Sequence, residues 1–403
     1  MGNLGMSGRS ADADSMATNP KSEAGPTPAG LRHAAMATVA AAALLAATTA
    51  RAEEPTQVEQ VADNITTGAA VTHATSFLVV PLPQINPALG NGVTLVASAF
   101  YSPVQGGRPW VTGAGGMYTS EGDWAAGLAQ QADLFQGRLR LLGFGGYGDF
   151  NLKFFGIGQQ AGATGRSITL DEKGIAFMAS ALYQTIGSLY IGLKYKYLDL
   201  DSTLAHPLFP NSPIVPKAEL NTAISGLGPA FEFDTRDSQF MPKNGYYVTG
   251  QWLYFNSAIG SDFAYNKLNL AANLYHSFGP NTVLAARAST CNASQDAPFY
   301  DLCFFGSQND LRGYEGGQYR DHTMMATQVE LRQHLFWRIG GVAFAGVGAV
   351  APDYGQITDS RALPSAGVGL RFQPTAKTPV NLSLDYAWGR GSQGLYLYLG
   401  EAF

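Results

Sequence analysis

Charge is scarce in this chain. Only 14% of its 403 residues are Asp, Glu, Lys or Arg, whereas a soluble domain carries about a quarter. Long apolar runs are missing as well. Beyond residue 55 nothing approaches the roughly 20 consecutive apolar residues that a membrane-spanning helix requires. There is no basic excess either: the net charge of -5 and pI near 5.7 argue against a nucleic-acid partner. The six histidines are scattered, with His322 and His334 isolated, and no serine can be placed on one face with a histidine and an acid. No enzyme activity is therefore expected. The stretches "GAGGMY" and "GFGGYG" lack the lysine and following helix of a phosphate loop. Only two cysteines occur, Cys291 and Cys303, and they do not form a CxxC pair, so neither a metal site nor a cofactor is expected.

Glycine and aromatics are plentiful instead: 48 Gly, 19 Tyr and 22 Phe. The mean hydropathy is nevertheless neutral, at -0.03. This combination fits an all-β transmembrane antiparallel barrel. Period-2 alternation supports it from about residue 76 onward. In "LYIGLKYKYLDL", Leu189, Ile191, Leu193, Tyr195 and Tyr197 share one face and Lys194 and Lys196 take the other. In "VNLSLDYAW", Leu382, Leu384, Tyr386 and Trp388 stand opposite Ser383 and Asp385. In "TMMATQVELRQHL", Val329, Leu331 and Leu335 stand opposite Gln328, Glu330, Arg332 and His334.

The alternation predicts about sixteen strands, near 77–83, 92–101, 110–119, 123–134, 138–149, 174–185, 188–200 and 218–233, then 245–257, 262–278, 282–291, 323–336, 341–350, 362–372, 379–388 and 393–403. An even number is what a single-chain bacterial barrel needs. With the N-terminus on the periplasmic side, the longest connections, 150–173, 201–217 and 292–322, all fall on the outer side.

The segments before the barrel read as targeting. Residues 1–52 form a signal peptide with a basic flank at Arg32, an Ala/Leu core from Val39 to Ala47 and a small-x-small site at Ala50 and Ala52. Its n-region is either extended or mis-started, translation then beginning at Met16. Residues 53–75 are a short periplasmic segment, too short for an independent domain, and 76–403 are the barrel. In an exported chain Cys291 and Cys303 are candidates for a disulfide. The last strand, "GLYLYLGEAF", is expected to end as an insertion signal on Leu399 and Phe403, with Glu401 standing where such signals carry a second hydrophobic residue. The same chain would use the outer-membrane insertion machinery for its own assembly.

Two segments are more specific. In "FEFDTRDSQFMPKNGYYVTGQW" the run Asp234, Thr235, Arg236, Asp237, followed by Pro242, Gly245 and Tyr246, resembles the Asp-Arg-Asp periplasmic turn of the BamA/TamA outer-membrane assembly superfamily, the bacterial surface antigens. About seventy-five residues later, Leu311-Arg312-Gly313-Tyr314 in "FFGSQNDLRGYEGGQYRD" resembles that superfamily's Val-Arg-Gly-aromatic signature in its sixth outer loop. Roughly the last 170 residues carry the match.

The resemblance implies a long outer loop that folds into the barrel, its Arg312 held by lumen acids and Arg236 bracing adjacent periplasmic turns. Glu330 matches one acid partner. The other is an aspartate in an aromatic-x-Asp-x-Gly pattern. Here "GGVAFAGVGAV" offers Phe344 and Gly348, with Gly346 in the aspartate's place. Asp385, two strands further on and lumen-facing, is the candidate substitute.

The resemblance further implies a non-catalytic role in inserting or translocating polypeptide. The first and last strands would pair weakly enough for a seam to open and offer a client its edge. Pro81 and Pro83 in "FLVVPLP" delete ladder donors there. Expected partners are outer-membrane lipid, client β-barrel proteins and a separate periplasmic protein, since the family's periplasmic polypeptide-transport-associated domains are not read in this sequence. The alternatives are a passive porin-like channel, lined by Lys194, Lys196, Lys267, Arg371 and Asp385, and a structural or surface-contact barrel.

Overall fold

The computed structural model describes residues 76–403 apart from 87–89, 102, 104–109, 205–220, 239–240, 308 and 375–380. The expected signal peptide and the segment 53–75 lie outside the described residues.

Sixteen strands, counted among the described residues, form one antiparallel barrel. They are β1 (Ser76–Asn86), β2 (Gly90–Tyr101), β3 (Trp110–Thr119), β4 (Trp124–Leu134), β5 (Leu139–Phe154), β6 (Ile168–Ile186), β7 (Leu189–Leu204) and β8 (Asn221–Asp234). The ring continues with β9 (Gly245–Phe255), β10 (Tyr265–Ser277), β11 (Thr282–Ala293), β14 (Thr323–Phe336), β15 (Ile339–Ala351), β16 (Leu363–Phe372), β17 (Leu382–Gly389) and β18 (Ser392–Leu399). Between β11 and β14 a two-residue ribbon, β12 (Cys303–Phe304) against β13 (Arg320–Asp321), belongs to the sixth outer loop.

Alternation turns sequence into wall and lumen. Along β14, Met325, Val329 and Leu331 are exposed on the outside, while Ala326, Gln328, Glu330 and Arg332 are buried inside. Exposed aromatics gather at both strand ends. Phe135, Tyr183, Tyr246, Phe278, Phe336, Trp337 and Phe372 ring the periplasmic side, and Tyr118, Trp124, Trp252, Tyr254 and Trp388 ring the outer side. Two such girdles mark the two membrane interfaces.

Strands β5, β6 and β7 run several residues beyond their predicted outer ends. The register continues to Phe154↔Ile168 and Leu170↔Leu204. Their polar tips, with Lys173 bridging Asp149 at 3.3 Å and Asp171 at 3.4 Å, stand clear of the apolar band, so strict alternation stops there although pairing does not. The opposite correction applies to the last strand, expected to reach residue 403. It ends at Leu399, where Gly400 at φ 84° turns the chain inward. Phe403 is 5% exposed and packs inside among Tyr247, Tyr275, Phe344 and Tyr398.

The sixth outer loop folds into the barrel. Phe299, Tyr300, Leu302, Phe305, Leu311, Tyr314 and Tyr319 are buried against wall residues Phe154, Leu170, Ile224, Leu253, Phe255, Tyr265 and Val350 in the largest apolar cluster. The core of this molecule is therefore a lid packed into the lumen.

Around most of the ring, neighbouring strands pair along their length. Between β1 and β18 the pairing is a single position, Ile85↔Leu397. Extended antiparallel from that pair, only Pro83–Asn86 face Tyr396–Leu399 within the two strands. For Ser76–Leu82 the partners would fall at Gly400 and beyond, where the chain has already left the sheet. Elsewhere the shortest ladder, between β16 and β17, still pairs every position from Ala366 to Phe372.

Candidate functional site

Arg312 sits at the tip of the lid with no exposed surface. Its placement starts from Gly313, whose φ of 103° is a left-handed conformation that side chains avoid, and where a Cβ would stand 2.7 Å from the carbonyl carbon of Trp388. The loop tip therefore lies directly on β17. The neighbouring Leu311 rests on the glycine floor of β15: a Cβ at Gly346 would be 2.9 Å from its Cδ1, and one at Gly348 would be 2.8 Å from its Cδ2.

With the tip held there, the Arg312 guanidinium reaches across the lumen wall. Nη2 donates to Glu330 Oε2 of β14 at 2.5 Å, and Nη1 donates to Asp385 Oδ2 of β17. Nε points at Gln328 Oε1, 3.4 Å away. The guanidinium plane covers the Phe344 ring with its carbon 3.4 Å from the centroid. Gly346 is the position where the resemblance leads one to expect an aspartate, and the structure gives the space there to Leu311. The carboxylate that meets Arg312 comes from β17 instead.

Both acids are shared. Asp385 also accepts from Arg371 Nη1 at 2.5 Å and from the Tyr398 hydroxyl at 2.5 Å. Glu330 also accepts from Arg332 Nε at 2.6 Å. Glu401, just past β18, accepts from Arg371 Nε at 2.7 Å and lies 3.6 Å from Arg332 Nε. Three arginines (312, 332 and 371) thus face three acidic side chains (330, 385 and 401), a set of six buried side-chain charges, with the terminal Phe403 oxygen a further acceptor for Arg332 Nη2 at 2.8 Å. Each guanidinium meets a carboxylate in a lumen of low polarity, the arrangement that makes burying such groups tolerable.

Sequence reasoning did not place Arg332, Glu401, Tyr396 or Tyr398 in this cluster. Their signal was parity: each falls on, or continues, a lumen face that converges on Glu330 or Asp385. The two tyrosines connect the lid to the last strand. Gly313 N donates to the Tyr396 hydroxyl at 2.9 Å, which donates in turn to the Tyr314 carbonyl at 3.2 Å. Tyr314 then donates to the Pro364 carbonyl at 2.6 Å.

The remaining expected site residues lie apart from this cluster. At the outer end, Cys291 of β11 is bonded to Cys303 of the loop, with Cα atoms 5.6 Å apart, which ties the lid's entry to the wall. Next to it Asp301, fully buried, meets Lys196 Nζ at 2.6 Å, Lys267 Nζ at 3.0 Å and the Tyr265 hydroxyl at 2.6 Å. Burial alone would raise this carboxyl, but the two ammonium groups hold it well below the usual carboxylate range. These lysines, read from the sequence as pore lining, are thus fastened to the lid.

At the periplasmic end Arg236 grips Asp234 of its own turn, Nε to Oδ1 at 3.0 Å and Nη2 to Oδ2 at 2.9 Å, and covers the Tyr247 ring at 3.7 Å. Thr235 N donates to the Tyr246 carbonyl at 2.9 Å, and Asp237 accepts from Lys243 N at 2.9 Å. A bridge to the neighbouring strand is made by Asn244, whose Oδ1 accepts from Ser277 Oγ at 2.9 Å. Leu399 ends β18, and Phe403, the expected terminal aromatic of that strand, lies in the lumen. Among the described residues no group of His, Cys, Asp and Glu is arranged to hold a metal ion.

The family model of the Omp85 superfamily domain matches residues 62–403. No curated protein matches the chain significantly. Among solved structures it is similar to BamA from Haemophilus ducreyi lacking POTRA domains 1-3, at 15% identity and TM-score 0.53, over 81% of this chain and 69% of that one. It is also similar to CdiB from Escherichia coli, at 12% identity and TM-score 0.55, over 85% and 69%. CdiB from Acinetobacter baumannii aligns at 12% identity and TM-score 0.54, over 82% of this chain and 60% of its own.

Proposed function

Because the chain belongs to the Omp85 superfamily and is an outer-membrane β-barrel, we propose that it assists insertion or translocation of polypeptide at the outer membrane through a non-catalytic lateral seam between β1 and β18. The observation that carries this reading is the single-position pairing at Ile85↔Leu397. In lipid an unpaired strand edge is costly, because no water reaches its N–H and C=O groups. A client strand that adds to the β1 edge satisfies those groups, which is β-augmentation. Pro81 and Pro83 suit β1 to this role, since proline is tolerated at sheet edges and supplies no donor of its own.

The lid has a matching task. β18 is held by hydrogen bonds from the lid to Tyr396 and Tyr398 and by Glu401 just beyond it. The last strand therefore keeps its place when β1 separates from it. Clients would be β-strand-bearing polypeptides, and a periplasmic partner would deliver them.

A seam-locking experiment tests this. Ile85→Cys and Leu397→Cys together place a disulfide across the one paired position. The locked protein is expected to fold and reach the outer membrane but to fail to restore outer-membrane protein levels in depleted cells until reductant is added. Full restoration by the locked form sinks the seam mechanism. The porin-like alternative predicts a large, steady conductance in planar bilayers. The packed lid argues against one, and its appearance only after deletion of 294–322 supports the assembly reading.

A further inference from the structure

Below the lid lock, the periplasmic mouth of the barrel holds a cavity of about 280 Å³, bounded by Lys243 and Arg338 at the rim, His334 beside them, and Arg332, Arg371 and Glu401 at its floor. The floor charges belong to the set of six. The rim charges do not. Arg338 Nη1 donates to the Pro374 carbonyl at 2.8 Å, and the Lys243 ammonium makes no ion pair among the described residues. The nearest acid of that turn, Asp237, accepts from Lys243 N at 2.9 Å and from Asn244 Nδ2 at 3.4 Å.

Arg332 adds a second observation. It is 8% exposed, with Nε committed to Glu330 and Nη2 donating to the terminal Phe403 oxygen at 2.8 Å. Its Nη1 is buried without an acceptor.

We propose that this cavity is a carboxylate-binding site for an acidic, extended peptide segment entering from the periplasm. A guanidinium N–H donates a charge-assisted hydrogen bond to a carboxylate, stronger than a bond between neutral groups. With Nε and Nη2 of Arg332 committed to Glu330 and Phe403, the incoming carboxylate takes Nη1, flanked by Lys243 and Arg338. A peptide fits better than a free oxyanion because Met241, Pro242, Pro280 and Val283 supply an apolar wall beside the charges. The site is independent of the seam, since a peptide binds there whether or not β1 and β18 separate.

The test uses the purified full-length protein in detergent micelles and a fluorescein-labelled octapeptide of alternating glutamate and leucine, followed by anisotropy. Replacing Lys243→Gln and Arg338→Gln together should weaken binding at least about tenfold, a change of about 1.4 kcal/mol, while Lys243→Arg keeps it. Raising the salt on wild-type protein should weaken it too, as expected of partly exposed charges. The proposal is overturned by wild-type affinity in the double variant, by affinity insensitive to salt, or by equal binding of a lysine-for-glutamate peptide. It is also overturned if the labelled peptide fails to bind the wild-type protein, or if inorganic phosphate displaces it as effectively as unlabelled peptide.

Discussion

Truncating Arg312→Ala removes one positive charge from the set of six and leaves three acidic side chains facing two arginines. Glu330 keeps Arg332 at 2.6 Å and Asp385 keeps Arg371 at 2.5 Å, so neither acid is stranded, but the lumen has lost one positive charge relative to wild type. Breaking a buried pair typically costs about 3–5 kcal/mol, and loss of the guanidinium stack on Phe344 adds up to roughly 2 kcal/mol. The variant should therefore lose its heat-modifiable gel mobility at a clearly lower temperature than wild type. Arg312→Lys keeps the charge without the fork and should fall between the two.

The sharper check is a second substitution. Glu330→Gln on its own removes a carboxylate that Arg312 and Arg332 share and should destabilise. In the Arg312→Ala background it restores the wild-type net charge, with Arg332 and Arg371 facing Asp385 and Glu401, and should recover part of the loss. Coupling between groups in one network commonly reaches about 0.5–3 kcal/mol. An unchanged melting temperature for Arg312→Ala, or strictly additive losses in the double variant, would refute a charge-balanced lock.

Other expectations follow from the same geometry. Gly346→Asp, which supplies the aspartate that the resemblance leads one to expect, should destabilise the barrel by about 1–3 kcal/mol, since its Cβ would lie 2.6 Å from the Thr327 carbonyl oxygen and 2.9 Å from Leu311 Cδ1. The heat-modifiability midpoint would show this, and Leu311→Ala should relieve only part of it, since the Thr327 carbonyl stays in place. Replacing both cysteines by serine frees a twelve-residue span, for which chain entropy gives about 3 kcal/mol; faster protease cleavage within 294–302 checks it. Asp301→Asn leaves the Lys196 and Lys267 ammonium groups without their carboxylate and should cost about 3–5 kcal/mol at neutral pH. Because the folded-state carboxyl lies below its ordinary value, that contribution is complete above about pH 5 and fades as pH falls through the folded value. The gap between wild-type and Asp301→Asn midpoints should thus be constant from about pH 5 to 8 and narrow in acid; a gap that widens on acidification contradicts the assignment.

Strand number, wall parity and the inward course of the sixth outer loop were legible because a barrel wall imposes period 2 on every strand that crosses the lipid. Legibility ended where that constraint ended. The tips of β5–β7 pair above the apolar band, so the outward face of β5 turns polar at Asn151 and Lys153 while the ladder continues to Phe154. The final residues looked like strand because Leu395, Leu397, Leu399 and Phe403 alternate. Glu401 does not belong on a lipid face, and its carboxylate finds Arg371 by leaving the sheet. Contacts across the lumen were the least legible part. Arg332 and Tyr398 share a face with many polar residues, and only the closed ring decides which of them meet.

The position of the second acid has a consequence for how lid and seam communicate. A carboxylate on β15 would lie next to Glu330 on β14, and Arg312 would then bind a patch of wall three strands from β18. With Gly346 on β15 and Asp385 on β17, the guanidinium instead spans β14 to β17, and Tyr398 of β18 donates to the same Asp385 oxygen that Arg312 engages. Moving the acid thus brings the lock to the strand beside the seam. If this geometry governs β18, loosening the lock should be felt at the far edge of that strand. Asp385→Asn should raise the rate at which a thiol at Leu397→Cys reacts with a membrane-permeant probe, whereas Asp301→Asn, which weakens the lid on the opposite wall, should not. Equal labelling rates in the two variants would mean that the lid holds β18 no more closely than any other strand.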